Sequence, residues 1–278
     1  MFQKSFDGSP TLYLVSTPIG NMEDITFRAI NILNSVDVIF CEDTRVSKKM
    51  LSYYNINKKL ISANDNNEDL IKQKIDKYLM DNKNVALISD AGTPLINDPG
   101  YKVISYILKK NVNVVSIPGA TAFIPALTSS GLNPYPFLFF GFLSSKGEKR
   151  KKQFIDLSEE KNTLVFYEAP HRIVECLNQM LTIFGDRDIS ISREITKIHE
   201  EIFRGKISEY LSSDKIVKGE MVIIVDGKKS DKIILEEDII KKIDQYIKEG
   251  FSSNTAIKKV AEENNISKNK IYNMYHKR

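Results

Sequence analysis

Only two cysteines, Cys41 and Cys176, and three histidines, His171, His199 and His276, occur in the 278 residues. No paired-cysteine spacing and no His-Glu-x-x-His helix is present, so the chain offers no recognisable metal centre. The cysteines lie far apart in apolar surroundings and read as buried free thiols of a reducing compartment. A Gly-x-x-x-x-Gly-Lys-Ser/Thr loop and a Gly-x-Gly-x-x-Gly fingerprint are both missing, which removes the usual basis for NTP hydrolysis and dinucleotide binding. Nucleophile elbows of the Gly-x-Ser-x-Gly type are missing as well. No apolar run approaches the ~18 residues of a membrane span, and Met1 to Pro10 has neither a basic start nor an apolar core, so the expectation is a cytoplasmic protein. Arginine is scarce: eight against thirty-two lysines. In such a lysine-biased chain an arginine is the residue expected where a planar, bidentate fork is needed.

Charge and length set the remaining bounds. A net charge of +4 and a pI near 8.7 permit contact with nucleic acid without arguing for it. The length gives room for about two domains and a tail, with a core large enough to dispense with disulfides.

Glycine and proline are concentrated where they carry information. Ser89 to Gly100 reads Ser-Asp-Ala-Gly-Thr-Pro-Leu-Ile-Asn-Asp-Pro-Gly. It follows the apolar run Val85 to Ile88 and precedes a helical pattern. Twelve residues are too many for an ordinary strand-to-helix connection of about 2–6. Gly92 and Gly100 permit positive φ, while Pro94 and Pro99 fix it. Thr17-Pro-Ile-Gly-Asn21 and Pro118-Gly-Ala-Thr-Ala122 close two further strand-like runs, and three such strand ends imply one shared ligand pocket.

The hydrophobic pattern predicts an α/β fold of two α/β domains with a helical extension. In the first domain, 11–131, strands are expected at 11–16, 36–40, 59–62, 84–89 and 113–117. Its helices are expected near 26–35, 45–53, 67–82, 98–110 and 120–130. Gly131 to Pro136 has the composition of a connection. The second domain, 137–227, is expected to hold a mixed sheet, with strands near 137–142, 162–167, 188–193, 199–204 and 219–226 and helices near 147–158, 170–184 and 206–213. Residues 236–278 form a charged helical tail whose last two helices, with Lys268, Lys270, His276, Lys277 and Arg278, resemble a helix-turn-helix. A helical hairpin that only packs is an equal reading.

The polar residues at these strand ends suit a nucleoside without a polyphosphate chain. Asp90 and Asp98 can accept from ribose hydroxyls or an ammonium, Thr93 and Thr121 offer hydroxyls, and Gly92 and Gly119 let a ligand approach the backbone. Turn stabilisation is the plainer role for either aspartate. Cys41-Glu-Asp-Thr-Arg45 sets two acids and a forked cation at another strand end. Glu42 or Asp43 is a candidate proton acceptor and Arg45 a candidate phosphate holder; an N-cap at Asp43 or Thr44 with an Arg45 ion pair is the competing reading. In the second domain, Tyr167-Glu-Ala-Pro-His-Arg172 and Ser192-Arg-Glu-Ile-Thr-Lys197 close strands in the same manner. Lys146 to Lys152 holds five basic residues in seven, suited to phosphates. Lys146, Lys149, Arg150, Lys151, His171, Arg172 and Arg193 are the candidate acceptor-binding residues.

Taken in order, Thr17–Asn21, Glu42–Arg45, Ser89–Gly100, Pro118-Gly119, Tyr167-Glu168 with Pro170–Arg172, and Arg193–Lys197 resemble the bacterial small-subunit ribosomal RNA ribose methyltransferases of the tetrapyrrole-methylase fold. The resemblance is collinear over about 11–227 and continues into the tail. It implies S-adenosylmethionine as methyl donor, the ribose 2′-hydroxyl of a cytidine in the decoding region of small-subunit (16S) ribosomal RNA as acceptor, a homodimer, and a cofactor cleft between the α/β domains. It also implies that the donor is held by Pro18, Gly20, Ser89, Asp90, Ala91, Gly92, Pro94, Pro118, Gly119, Thr121 and Ala122. The porphyrinoid branch usually has Gly-x-Gly-Pro-Gly-Asp in its first loop, where this chain has Thr-Pro-Ile-Gly-Asn. One departure stands out: a His-rich segment ending in Asn-Glu is replaced by Asn64-Asp-Asn-Asn-Glu68, so no histidine base or metal role is assigned there. Methylation of a porphyrin-like macrocycle and non-catalytic nucleic-acid binding through the tail are the alternatives.

Overall fold

The computed structural model describes residues 2–5, 7–63, 68–98, 100–213, 218–229, 236–264 and 266–276. Asn64 to Asn67, Pro99, Asn265, Lys277 and Arg278, which entered the sequence reading, lie outside them. Met1–Lys228 forms one compact unit and Lys229–Arg278 a second.

The first unit is built on two five-stranded sheets. In chain order, the first sheet and its helices comprise β1 (Thr11–Val15), α1 (Phe27–Ser35), β2 (Val38–Cys41), α2 (Thr44–Tyr53), β3 (Lys59–Ser62), α3 (Glu68–Met80), β4 (Val85–Ile88), α4 (Tyr101–Lys109) and β5 (Asn113–Ile117). The strands run parallel in the order β3-β2-β4-β1-β5. Buried on both faces, β2 and β4 read as unbroken apolar runs, Val-Ile-Phe-Cys and Val-Ala-Leu-Ile, rather than as alternation. Ala29, Leu33 and Leu51 of α1 and α2 pack with Val15 and Ile39 on one face. Ile71, Ile75, Val103 and Ile107 of α3 and α4 pack with Leu14 and Phe40 on the other. Each Val, Leu, Ile or Phe among them, once buried, contributes about 1.5–3 kcal/mol.

After α5 (Phe123–Ser129) come β6 (Phe137–Phe142), α6 (Gly147–Leu157), β7 (Thr163–Glu168), α7 (Ile173–Phe184), β8 (Asp188–Arg193), β9 (Glu201–Lys206), α8 (Ile207–Leu211) and β10 (Met221–Val225). Their order is β6-β7-β10-β8-β9. Only β6 and β7 pair in parallel; the other three pairs are antiparallel, as the mixed-sheet expectation has it. Although α5 follows the last strand of the first sheet, it packs on the second: Ala126 and Leu127 meet Val165, Val222 and Ile224. The opposite face is covered by α6, α7 and α8 through Phe154, Ile173, Leu177, Met180 and Tyr210. Cys41 and Cys176 are free and buried.

The tail unit has its own core. Ile239 and Ile243 of α9 (Glu236–Lys248) meet Ala256, Ile257 and Val260 of α10 (Ser253–Asn264) and Ile271 of α11 (Lys268–His276). Among the described residues no helix is long and apolar enough to cross a membrane.

Candidate active site

The loops at the carboxyl ends of β1, β4 and β5 are stitched to one another. Thr17 and Gly92 exchange two backbone hydrogen bonds, Thr17 N–H to Gly92 O at 2.9 Å and Gly92 N–H to Thr17 O at 3.0 Å. The Thr17 hydroxyl donates to Ser89 O at 3.2 Å, and the Ser89 hydroxyl donates to the carbonyls of Ala91 and Gly92, both at 3.3 Å. The Thr93 hydroxyl donates to Ala120 O and hydrogen-bonds Ser16 Oγ, both at 3.0 Å. Two glycines make the packing possible. Gly92 adopts φ +81°, and a Cβ on Gly119 would stand 2.7 Å from Ser16 Cβ.

This stitched surface is one wall of a cavity of about 500 Å³. It contributes Asp90, Ala91, Gly92, Thr93, Thr121 and Ala122, with Glu42 from the end of β2. The facing wall comes from the second sheet and its connections: Phe142, Tyr167, Glu168, Ile195, Met221 and Val222 among others. Of the residues that the resemblance assigned to the donor, Asp90, Ala91, Gly92, Thr121 and Ala122 line the cavity. Ser89 and Gly119 stand behind it as the supports described above. Pro18 and Pro94 are buried beside it. Gly20 is exposed, and its missing side chain makes room for Lys197, whose Cγ would be 2.5 Å from a Cβ there.

The charge on this lining is one-sided. Glu42, Asp90, Asp98, Glu168 and Glu220 supply five carboxylates, and no lysine, arginine or histidine is among the described lining residues. Asp90 Oδ1 accepts from the backbone N–H of Asp43 at 3.0 Å, so one of its oxygens has the turn-stabilising role. Burial raises the Asp98 carboxyl above its ordinary value, with neighbouring Asp90 adding to the shift and a Ser89 hydrogen bond opposing it. Burial likewise raises the Tyr167 hydroxyl, against a hydrogen bond from Thr121. Glu168 is 1% exposed. It is held by Arg172, whose Nε approaches Oε1 at 2.8 Å and whose Nη2 donates to Oε2 at 3.1 Å. Such a cavity, acidic at its polar positions and apolar at Ile19, Ile96, Phe142 and Met221, suits a cationic ligand with an apolar body. S-adenosylmethionine, with its sulfonium and ammonium, has that chemistry.

Of the other candidate residues, Asp43 has the competing role of an N-cap, Arg150 is buried, and Arg172 and Arg193 are ion-paired. Asp43 is the N-cap of α2, its Oδ1 accepting from Arg45 N–H at 2.8 Å. Arg45 also clasps it through Nε and Nη2, the latter at 2.6 Å. Those bonds hold the Asp43 carboxyl down to about 2, which makes it a poor proton acceptor. Arg150 is fully buried, donating Nε–H to Gln179 at 2.8 Å and pairing with Glu175, so it cannot reach an acceptor. Arg172 is committed to Glu168 and to Leu143 O at 2.9 Å. Arg193 is committed to Glu201 Oε2, at 3.0 Å from Nη2. Lys146, Lys149, Lys151 and His171 remain exposed.

Comparison with known proteins gives concordant kinship. The family model for Tetrapyrrole (Corrin/Porphyrin) Methylases matches residues 11–211. A protein of Bacillus subtilis (strain 168) named "Ribosomal RNA small subunit methyltransferase I" is 42% identical over 285 aligned residues, covering 99% of this chain and 98% of its own. A protein of the same name from Vibrio cholerae serotype O1 is 39% identical over 272 residues, covering 96% of this chain and 94% of its own. Among solved structures, uroporphyrin-III-C-methyltransferase from Thermus thermophilus superposes with a TM-score of 0.57 at 16% identity, over 78% of this chain and 94% of that one. A cobalt precorrin-4 methyltransferase superposes with a TM-score of 0.58 at 15% identity, over 78% of this chain and 94% of that one. At those identities the likeness is one of fold.

Proposed function

Because the chain belongs to the tetrapyrrole (corrin/porphyrin) methylases, we propose that its stitched, acid-lined cavity holds S-adenosylmethionine and that the acceptor is small-subunit ribosomal RNA. It is a methyltransferase whose near full-length relatives are named for that RNA. The observation that carries the reading within the fold family is the charge of the cavity. A macrocycle bearing many carboxylates would meet Glu42, Asp90, Asp98, Glu168 and Glu220 on the lining, of which Glu168 is paired with Arg172 and Glu220 with Lys197 behind it. The donor's sulfonium and ammonium are attracted there and the ribose hydroxyl is uncharged, while the phosphates on either side of that ribose have to stay outside the cavity. At the finer level the acceptor proposed is the 2′-hydroxyl of a cytidine in the decoding region, with the enzyme acting as a homodimer on the assembled subunit in the cytoplasm.

When bound, S-adenosylmethionine supplies an electrophilic methyl group on a sulfonium. The chain's own residues then have three tasks. Gly92 and Gly119 bring the backbone of two loops against the donor, and Thr93 and Ser16 keep those loops in register. Positioning of this kind lowers the barrier by fixing the reacting atoms in line. Glu168, immobilised by Arg172, keeps a carboxylate in the wall for the donor's positive charge. Asp98 accepts the proton leaving the ribose hydroxyl: its raised affinity for protons suits it to that task better than Asp43, and Glu42 is the second carboxylate available.

Incubating the protein and labelled S-adenosylmethionine with small ribosomal subunits, naked small-subunit RNA and a uroporphyrinoid macrocycle tests the assignment. Label is expected in RNA, at one alkali-resistant linkage. Label in the macrocycle alone overturns it.

A further inference from the structure

The acidity of the cavity creates a problem that a second concavity resolves. An RNA acceptor brings a phosphate on each side of its target ribose, and the cavity lining presents only carboxylates as charged groups. The phosphates therefore need a cationic track that starts beside the cavity without entering it. A groove of about 630 Å³ lies along α2 and the start of β3. Its cations are Arg45, Lys48 and Lys58, and no carboxylate is among its described lining residues. Leu51, Ile56 and Leu60 form the apolar part of the lining, and Ser52, Asn55 and Asn57 add polar groups.

Its position joins it to the cavity. Glu42 lines the cavity, while Thr44 and Arg45, two and three residues on, line the groove. Asp43 between them is fixed on both sides, by its N–H to Asp90 and its carboxylate to Arg45. From Arg45, Lys48 follows one helical turn later, about 4.5 Å along the axis. Lys58 lies just before β3, an edge strand paired only to β2. Lys48 and Lys58 have no ion-pair partner among the described residues, and Arg45 has its side chain 87% exposed while held by Asp43. A groove lined by a row of cations is the arrangement that tracks the phosphates of a single-stranded backbone.

We infer that the groove between α2 and the edge strand β3 binds the phosphodiester backbone of the single-stranded RNA flanking the methylated nucleotide, through Arg45, Lys48 and Lys58. The inference rests on the RNA reading of the cavity. It divides recognition into an acidic cavity for the donor and the target ribose, and a basic groove for the strand that carries it.

The test is a Lys48→Gln, Lys58→Gln double variant of the full chain, with Lys74→Gln, Lys77→Gln as the charge-matched control on α3, across the sheet from α2. Binding of fluorescently labelled small ribosomal subunits, and of a small-subunit RNA fragment beside them, is measured across a salt series, and S-adenosylmethionine binding by calorimetry reports an intact fold. Removing two phosphate contacts is expected to weaken RNA binding on the order of tenfold near 0.1 M salt and to lower the salt-dependence slope by about 1.4, at roughly 0.7 per contact. The control is expected to keep the wild-type slope. If wild type binds the RNA but the double variant matches it in affinity and slope, or the control loses as much, the groove assignment is overturned. If wild type neither binds nor methylates the RNA, the reading of the cavity fails with it.

Discussion

The side chain of Asn97 lies directly over the Cα of Gly141. A Cβ built on Gly141 would stand 2.3 Å from Asn97 Oδ1. Asn97 belongs to the long loop after β4 and takes a left-handed φ of +63°. Gly141 sits at the β-bulge of β6, with φ +77°. This contact sets the loop that carries Asp98 against the second sheet, and it exists because one partner has no side chain.

Gly141→Ala is therefore expected to do more than strain a bulge. The backbone conformation alone costs about 1–3 kcal/mol, and displacement of Asn97 should weaken S-adenosylmethionine binding about tenfold, or ~1.4 kcal/mol. Gly185→Ala has the same φ of +77° but nothing within 4 Å of its Cβ. Chemical denaturation and calorimetry on both variants separate strain from contact; equal donor affinity in the two would refute the contact's role.

Asp98→Asn should lower the single-turnover methylation rate on the order of 10²-fold with RNA saturating. The base works when deprotonated, so in the wild-type enzyme the rate falls as pH drops through its carboxyl's value. Burial has raised that value above the ordinary 3.8. The acidic limb should accordingly sit higher than for an exposed aspartate and disappear in the variant. An unchanged pH profile would return the role to Glu42.

Arg150→Ala should destabilise the protein by about 3 kcal/mol, since it strands Gln179 and empties a buried volume. Lys149→Ala and Lys151→Ala, one residue to either side, should stay within about 0.5 kcal/mol. Urea unfolding of the three decides it, and a wild-type midpoint for Arg150→Ala would contradict the burial.

Asp43 gives a pH window for stability. Its carboxyl is held at about 2, below its ordinary 3.8. The depressed value means that its contribution is present above about pH 4 and is lost as pH falls toward 2. Asp43→Asn should lower the unfolding midpoint at pH 6 and converge with wild type near pH 2. A gap that persists at pH 2 would show that the charge is not its source.

Much of this was legible beforehand because buried parallel strands have few ways to be written. Val85 to Ile88 and Val38 to Cys41 admit little but strands, and the residues after them admit little but loops. The Lys146–Lys152 run misled for an equally physical reason. Five basic residues in seven suggest a solvated face, yet Arg150 lies one turn before Phe154, and both point into the core of the second sheet. The i, i+4 pairing was the available signal. The facing wall of the cavity was harder to see. Phe142, Ile195, Glu220 and Met221 come from three separate segments and meet only through sheet pairing, which no local pattern encodes. For Asp43 the sequence offered both a proton acceptor and an N-cap paired with Arg45, and the structure has the N-cap.

The paired bonds between Thr17 and Gly92 have a mechanical consequence. They make the segments after β1 and β4 a single piece, since neither can swing outward without breaking two buried amide contacts at once. In the proposed reading this doubly bonded piece is the floor beneath the methyl donor. On the opposite side of the cavity Phe142, 57% exposed, and Tyr167 meet edge to face at 5.4 Å between ring centres.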